Sequence, residues 1–173
     1  MSSGINFRYD SPAGEILCGW WKGLDNDRGK RADLRRCSRP LEASFNSSHH
    51  QLSIDLKKKH PEEKGLDSRV LCLTPLIAHI KFTGGDDLGR GKMLAKQMSE
   101  LKSPGGESVL SELRFRRFLE CQTREDLFPQ LRRIIHLLDN KVDIYDLADT
   151  IYFWGDRKKR DLARQYFQKT NYF

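Results

Sequence analysis

Apolar residues recur along this chain at spacings of three and four, which predicts helices and little else. Ser11-Pro12 places a capping residue before a proline, and Ile16, Leu17, Trp20 and Leu24 follow at helical period until Gly23, Asp25 and Asn26 close the element. A short basic helix is expected over about Arg28–Cys37, and Pro40 opens the next segment. There Leu41, Phe45, Leu52 and Leu56 fall on one rough stripe, broken by Asn46-Ser47-Ser48 and ended by Lys57-Lys58-Lys59 and Pro61. Leu66, Val70, Leu73, Ile77 and Ile80 form another stripe, with Pro75 as a kink or break. Further on, one helix is predicted over Val109–Glu120. Leu127, Leu131, Ile134, Ile135 and Leu138 give the cleanest amphipathic face. Asp143 caps a helix holding Ile144, Leu147, Ala148 and Ile151; Gly155 ends it, and Asp156 caps a last one holding Leu162, Ala163, Tyr166 and Phe167. The only strand-like run is Ile77–Phe82.

Between these groups the pattern fades. Thr83 to Glu107 carries Gly84, Gly85, Gly89, Gly91, Pro104, Gly105 and Gly106, with room for a short helix near Leu88–Met98. The expected fold is therefore all-α: an N-terminal helical lobe over 1–84, a Gly/Pro-rich connection over 85–107, and a C-terminal helical lobe over 108–173. No window nears the roughly 18 apolar residues of a membrane span, and Met1–Ser11 has no apolar signal core. Cys18, Cys37, Cys72 and Cys121 form no CxxC pair, so neither a zinc site nor a disulfide framework is indicated. The expected setting is the cytoplasm, with no membrane partner.

Charge sharpens the picture. Thirty-one Lys and Arg against 24 acids give +7 over 173 residues, and both halves are in excess. Seventeen of the basic residues are arginine, whose planar fork matches phosphate oxygens. They cluster in four places: Arg28 to Arg39, Arg114-Phe115-Arg116-Arg117, Arg132-Arg133, and Arg157-Lys158-Lys159-Arg160. Arg133 lies nearly opposite the Leu127–Leu138 stripe and must face out, while Arg132 borders it. The last cluster opens a helix, where cations oppose the macrodipole. A folded basic surface facing a polyanion fits this better than a disordered arm. Trp20-Trp21 and Phe153-Trp154 could stack on bases, but their helical period favours the core.

Other chemistry is thinner. Gly84-Gly85-Asp86-Asp87 matches the metal-binding turn of palm-type cyclases and polymerases, yet no strand-like run supplies the second carboxylate that two-metal chemistry needs. His49, His50, His60 and His79 lack metal spacing, no GxSxG occurs, and Gly89-Arg90-Gly91-Lys92 is not a P-loop. A metal-dependent cyclase or nuclease using Asp86 and Asp87, and a helical adaptor for acidic proteins, remain as alternatives to nucleic-acid binding.

The order of motifs is itself informative. Trp20-Trp21, then Lys30 to Arg36, Leu88-Gly89-Arg90, Ser111 to Leu119, Gln130-Leu131-Arg132-Arg133, Phe153-Trp154-Gly155-Asp156-Arg157 and Lys169-Thr170-Asn171 together resemble the CasB family, the small subunit of the type I-E CRISPR surveillance complex Cascade. The resemblance spans about residues 15–173. It implies an all-helical, two-lobed protein with no catalytic residue and no cofactor. Its implied partners are the other Cascade subunits, a second copy of itself, guide RNA and target DNA, above all the displaced strand of the R-loop. The family's basic positions carry over at Arg36, Arg114, Arg133 and Arg157. With the clusters read from charge, the candidate nucleic-acid-binding residues are Arg31, Arg35, Arg36, Arg114, Arg116, Arg117, Arg132, Arg133, Arg157 and Lys158.

Overall fold

The computed structural model describes residues 4–85 and 87–168, which contain nine α-helices and no strand. The helices are α1 (Pro12–Gly23), α2 (Arg28–Arg36), α3 (Ser47–Lys59), α4 (Leu66–Ile77), α5 (Leu94–Ser99), α6 (Glu112–Leu119), α7 (Arg124–Leu137), α8 (Ile144–Tyr152) and α9 (Asp156–Phe167). Two 3-10 turns, Leu24–Asn26 and Pro40–Phe45, join the first three. The Ile77–Phe82 run is helix end and coil, and the only β-type pairing among the described residues is an isolated bridge between Leu101 and Ser108.

Most helices start where a side chain can satisfy an orphan amide. Ser11 accepts from Gly14 N at 3.0 Å, Asp27 from Lys30 N at 3.1 Å, Asn46 from Ser48 N at 2.9 Å, and Asp143 from Tyr145 N and Asp146 N at 2.9 Å. α4, α5 and α9 start without such a cap. In α9, Asp156 is the first residue rather than the cap, and Gly155 stands at the cap position with no side chain to offer.

The centre is α4. Eight of its twelve residues are buried, and it packs against α2, α3, α7 and α8. Pro75 lies inside it without ending it, because the helix stops two residues later. Buried hydrophobic residues from Ile5 to Tyr166 form one continuous cluster rather than two. The division into lobes expected at 85–107 is thus not expressed as separate cores.

The Gly/Pro-rich connection holds the short helix α5, as its room for one suggests, and is bound to the start of α8. Tyr145 Oη donates to Leu88 O at 2.6 Å, Gly91 N donates to Asp143 Oδ2 at 3.1 Å, and Leu94 N donates to Asp146 Oδ2 at 2.7 Å. Gly89 is needed there. Its φ is +70°, and a β-carbon on it would sit 2.5 Å from Ile144 Cδ1.

Three side chains depart from the pattern read in sequence. Trp21, not Trp20, is the core tryptophan; Trp20 is half-buried and donates to Ser48 O at 2.7 Å. Leu41 and Phe45 do not share a stripe with Leu52 and Leu56. They lie on a 3-10 turn and are exposed, Phe45 at 85%. The α6 helix is shorter than predicted, because Ser111 caps it and residues 109 and 110 instead bond back to Glu100 and Met98. All four cysteines are free thiols, and no helix of the described residues is long and apolar enough to cross a membrane.

Candidate nucleic-acid interface

α6 and α7 bring three of the expected arginines together. In α6 the buried residues are Phe115 and Phe118. At about 100° per residue, this places Arg114 and Arg117 on one flank of the helix and Arg116 on the other. In α7, Leu127, Phe128, Leu131, Ile134 and Ile135 are buried, so Arg133 points outward as its stripe requires. Gln130, His136 and Leu137, three or four residues away, share that side. The two flanks enclose a groove of about 640 Å³ lined by Arg114, Arg117, Gln130, Arg133 and His136, with Leu110, Ile134 and Leu137 as its apolar part. No acid lines it. Arg114, Arg117 and Arg133 make no ion pair among the described residues.

The other expected residues divide. Arg31 is only 16% exposed and serves the end of α4 instead, donating from Nε to Ala78 O at 3.1 Å and from Nη2 to Ile80 O at 2.6 Å. Burial and the neighbouring Arg35 pull its pKa down. Arg132 does the same for the end of α2, donating to Cys37 O at 2.8 Å and Arg35 O at 2.9 Å. Lys158 is mostly covered and ion-paired with Asp149 of α8, and Lys159 lies over the Trp154 ring at 5.5 Å. Two of the four cations at the start of α9, Lys158 and Lys159, thus have internal partners, which offsets part of their conflict with the macrodipole. Arg31, Arg132 and Lys158 each commit their charge to an internal partner, unlike the arginines of the groove.

Arg35, Arg36, Arg116 and Arg157 are exposed. Arg36 pairs with Asp33 at 3.3 Å and Arg116 with Glu112 at 2.5 Å, each on its own helix. Arg157 lines a separate hollow with Asp149, Phe153, Lys158 and Asp161. Arg35 does not line the groove, but it bears on His79, which packs against the groove's His136. His79 packs edge-on against His136 at 5.1 Å, and Arg132, Arg35 and Arg31 all bear on it. Burial first, then these cations, lower the His79 pKa to about 4, so it stays neutral beneath the basic surface.

Three functional positions escaped the sequence reading. Arg124 donates to Ile151 O at 2.9 Å and Tyr152 O at 2.6 Å, closing α8 as Arg31 closes α4. Gln130 and His136 line the groove, and their spacing from Arg133 on one helix was the available signal.

The family model described as CRISPR-associated protein Cse2 matches residues 30–167. The chain belongs to the Cse2 family. Cse2 is the CasB small subunit of type I-E Cascade, a structural subunit in CRISPR defence. The resemblance read from motif order is thereby borne out, and the matched span contains every arginine of the groove. Neither curated proteins nor solved structures supply a match for this Cse2-family chain. Its Lys169-Thr170-Asn171 motif lies outside the described residues, as does Asp86 of the GGDD turn. Asp87 is a brace for that turn. It accepts from Thr83 N and Gly89 N at 2.9 Å and from Thr83 Oγ1 at 2.8 Å. Burial raises its pKa, but these bonds outweigh it and leave the carboxyl below its usual range. No three His, Cys, Asp or Glu side chains converge as metal ligands among the described residues.

Proposed function

We propose that this protein is a non-catalytic nucleic-acid clamp within Cascade, gripping phosphates through Arg114, Arg117 and Arg133 and so steadying the displaced strand of the R-loop. The observation that carries this reading is the convergence of three unpaired arginines on an acid-free groove. Arg35, Arg36 and Arg157 extend the basic surface, and Arg116 adds to it from the far flank of α6. Sister Cascade subunits, guide RNA, target DNA and a second copy of the chain are its partners, in the cytoplasm. R-loop formation is close to energetic balance in RNA-guided systems, so a few backbone contacts can tip it. Such contacts carry no base information, which suits a complex whose sequence is read by its guide.

The test is salt. With three phosphates neutralised on a single strand, log affinity should fall with log salt at a slope of about 2. Arg133→Ala should lower affinity by about one to two decades, the worth of one charge-assisted contact, with the melting temperature unchanged. A flat salt response, or wild-type affinity in Arg133→Ala, would remove the clamp.

A further inference from the structure

A groove built only to hold phosphate has no use for an apolar and aromatic lining, yet this one has both. Leu110 and Ile134 are buried beneath it, and Leu137 stands exposed at its rim. Among them is His136, exposed to solvent. Its ring is not loose, because His79 meets it edge-on at 5.1 Å with 72° between the ring planes. His79 is itself buried among α4, α2 and α7 and stays neutral, so it acts as a fixed support. An exposed imidazole braced by a neighbouring ring and lining a groove is a surface on which a base can stack. The arginines around it would hold phosphates on either side of a base lying there.

We propose that His136 is a base-stacking platform, and that the groove takes a single strand with one unpaired base seated over His136 and Leu137. This rests on the clamp reading and adds to it the kind of strand accepted. A duplex is disfavoured, since its bases are already stacked and cannot reach the ring. Stacking tolerates any base, so the inference keeps binding independent of sequence.

The experiment measures anisotropy of labelled strands titrated with the full-length chain. One strand is oligothymidine; the other has the same length and phosphates but abasic sugars throughout. The wild type should bind oligothymidine about five- to a hundredfold more tightly, the range that stacking of one base supplies. His136→Ala should abolish that preference, whereas His136→Phe should keep it, because a phenyl ring stacks without a charge. Arg133→Ala should weaken both strands by the same factor. Equal affinity of the wild type for the two strands overturns the platform but leaves the clamp standing. A preference that survives His136→Ala also overturns it, since the base would then lie elsewhere. If neither strand binds, or Arg133→Ala matches the wild type, the clamp falls and the platform with it.

Discussion

Arg132 and Arg133 are neighbours in sequence and opposites in use. One turns inward and closes the end of α2 on the carbonyls of Arg35 and Cys37; the other turns outward into a groove with no acid. The same split runs through the molecule. Arg31, Arg124 and Arg132 each place two guanidinium nitrogens on the last carbonyls of a helix or the turn after it. Those carbonyls lack intrahelical partners and carry the negative end of the macrodipole, so an arginine fork suits them as well as it suits a phosphate. A basic cluster is therefore not a binding site until the carbonyl ends nearby have been supplied.

The largest expected effect breaks the comparison by adding charge to the capping side. His79 lies beneath Arg31, Arg35 and Arg132 of α2 and α7 and against His136, and no acid bears on it. His49, buried and bonded to Thr74 Oγ1 at 3.0 Å, is likewise held to a pKa of about 4, by burial first and then by His50. Both pKa values are lower folded than unfolded, so the unfolded chain binds more protons between them. Stability is then full above about pH 6.5 and falls as the pH drops towards 4, on the order of several kcal/mol for the pair. The loss precedes that from Asp27, Asp67 and Glu42, whose carboxyls are held below their usual range. Denaturant melts across this window should show it, and His79→Gln should make the decline shallower. A melt that is level from pH 7 to 4.5 would mean that His79 is not sealed beneath the arginines.

Next come the capping arginines themselves. Arg31→Ala, Arg124→Ala or Arg132→Ala should each cost about 2–3 kcal/mol, since a charge-assisted pair is lost and carbonyls are left in partly buried surroundings. For a chain of this size that is about 5–10 °C in melting temperature. Arg133→Ala should not move it. A melting temperature for Arg132→Ala equal to that of Arg133→Ala would erase the distinction between the two classes.

Much of this was legible beforehand, for reasons that particular residues make plain. The helices were readable because α7 and α8 repeat at helical period, and Asp143, read as a cap, accepts from Tyr145 N and Asp146 N. Arg133 was readable for the same reason: a stripe fixes the opposite face. The capping roles were not, because the partners of Arg31 lie 47 and 49 residues away and those of Arg132 lie 95 and 97 away. Two lobes were expected from a glycine-rich gap, but a gap in periodicity does not reveal that Leu88, Gly91 and Leu94 bind the start of α8. Leu41 and Phe45 misled because their spacing of four residues is helical while Pro40 starts a 3-10 turn.

The smallest effect sharpens the comparison from the other end. Arg36 and Arg116 are exposed like the groove arginines, at 77% and 67%, yet each already faces a carboxylate on its own helix. Exposed pairs of this kind hold a helix by only about 0.3–0.5 kcal/mol, so Arg36→Ala or Arg116→Ala should shift the melting temperature by about 1–2 °C at most. Their effect on a nucleic acid should also be smaller than that of Arg133→Ala. A phosphate approaching Arg116 must displace Glu112 or accept its repulsion, whereas one approaching Arg133 meets no acid. Removing the acid is the telling variant. Glu112→Gln should strengthen single-strand binding about two- to threefold, and Arg116→Ala in that background should then cost more than it does alone. If Glu112→Gln leaves affinity unchanged and Arg116→Ala equals Arg133→Ala, exposure alone decides which arginines bind. The absence of a local acid would then carry no weight in singling out the groove.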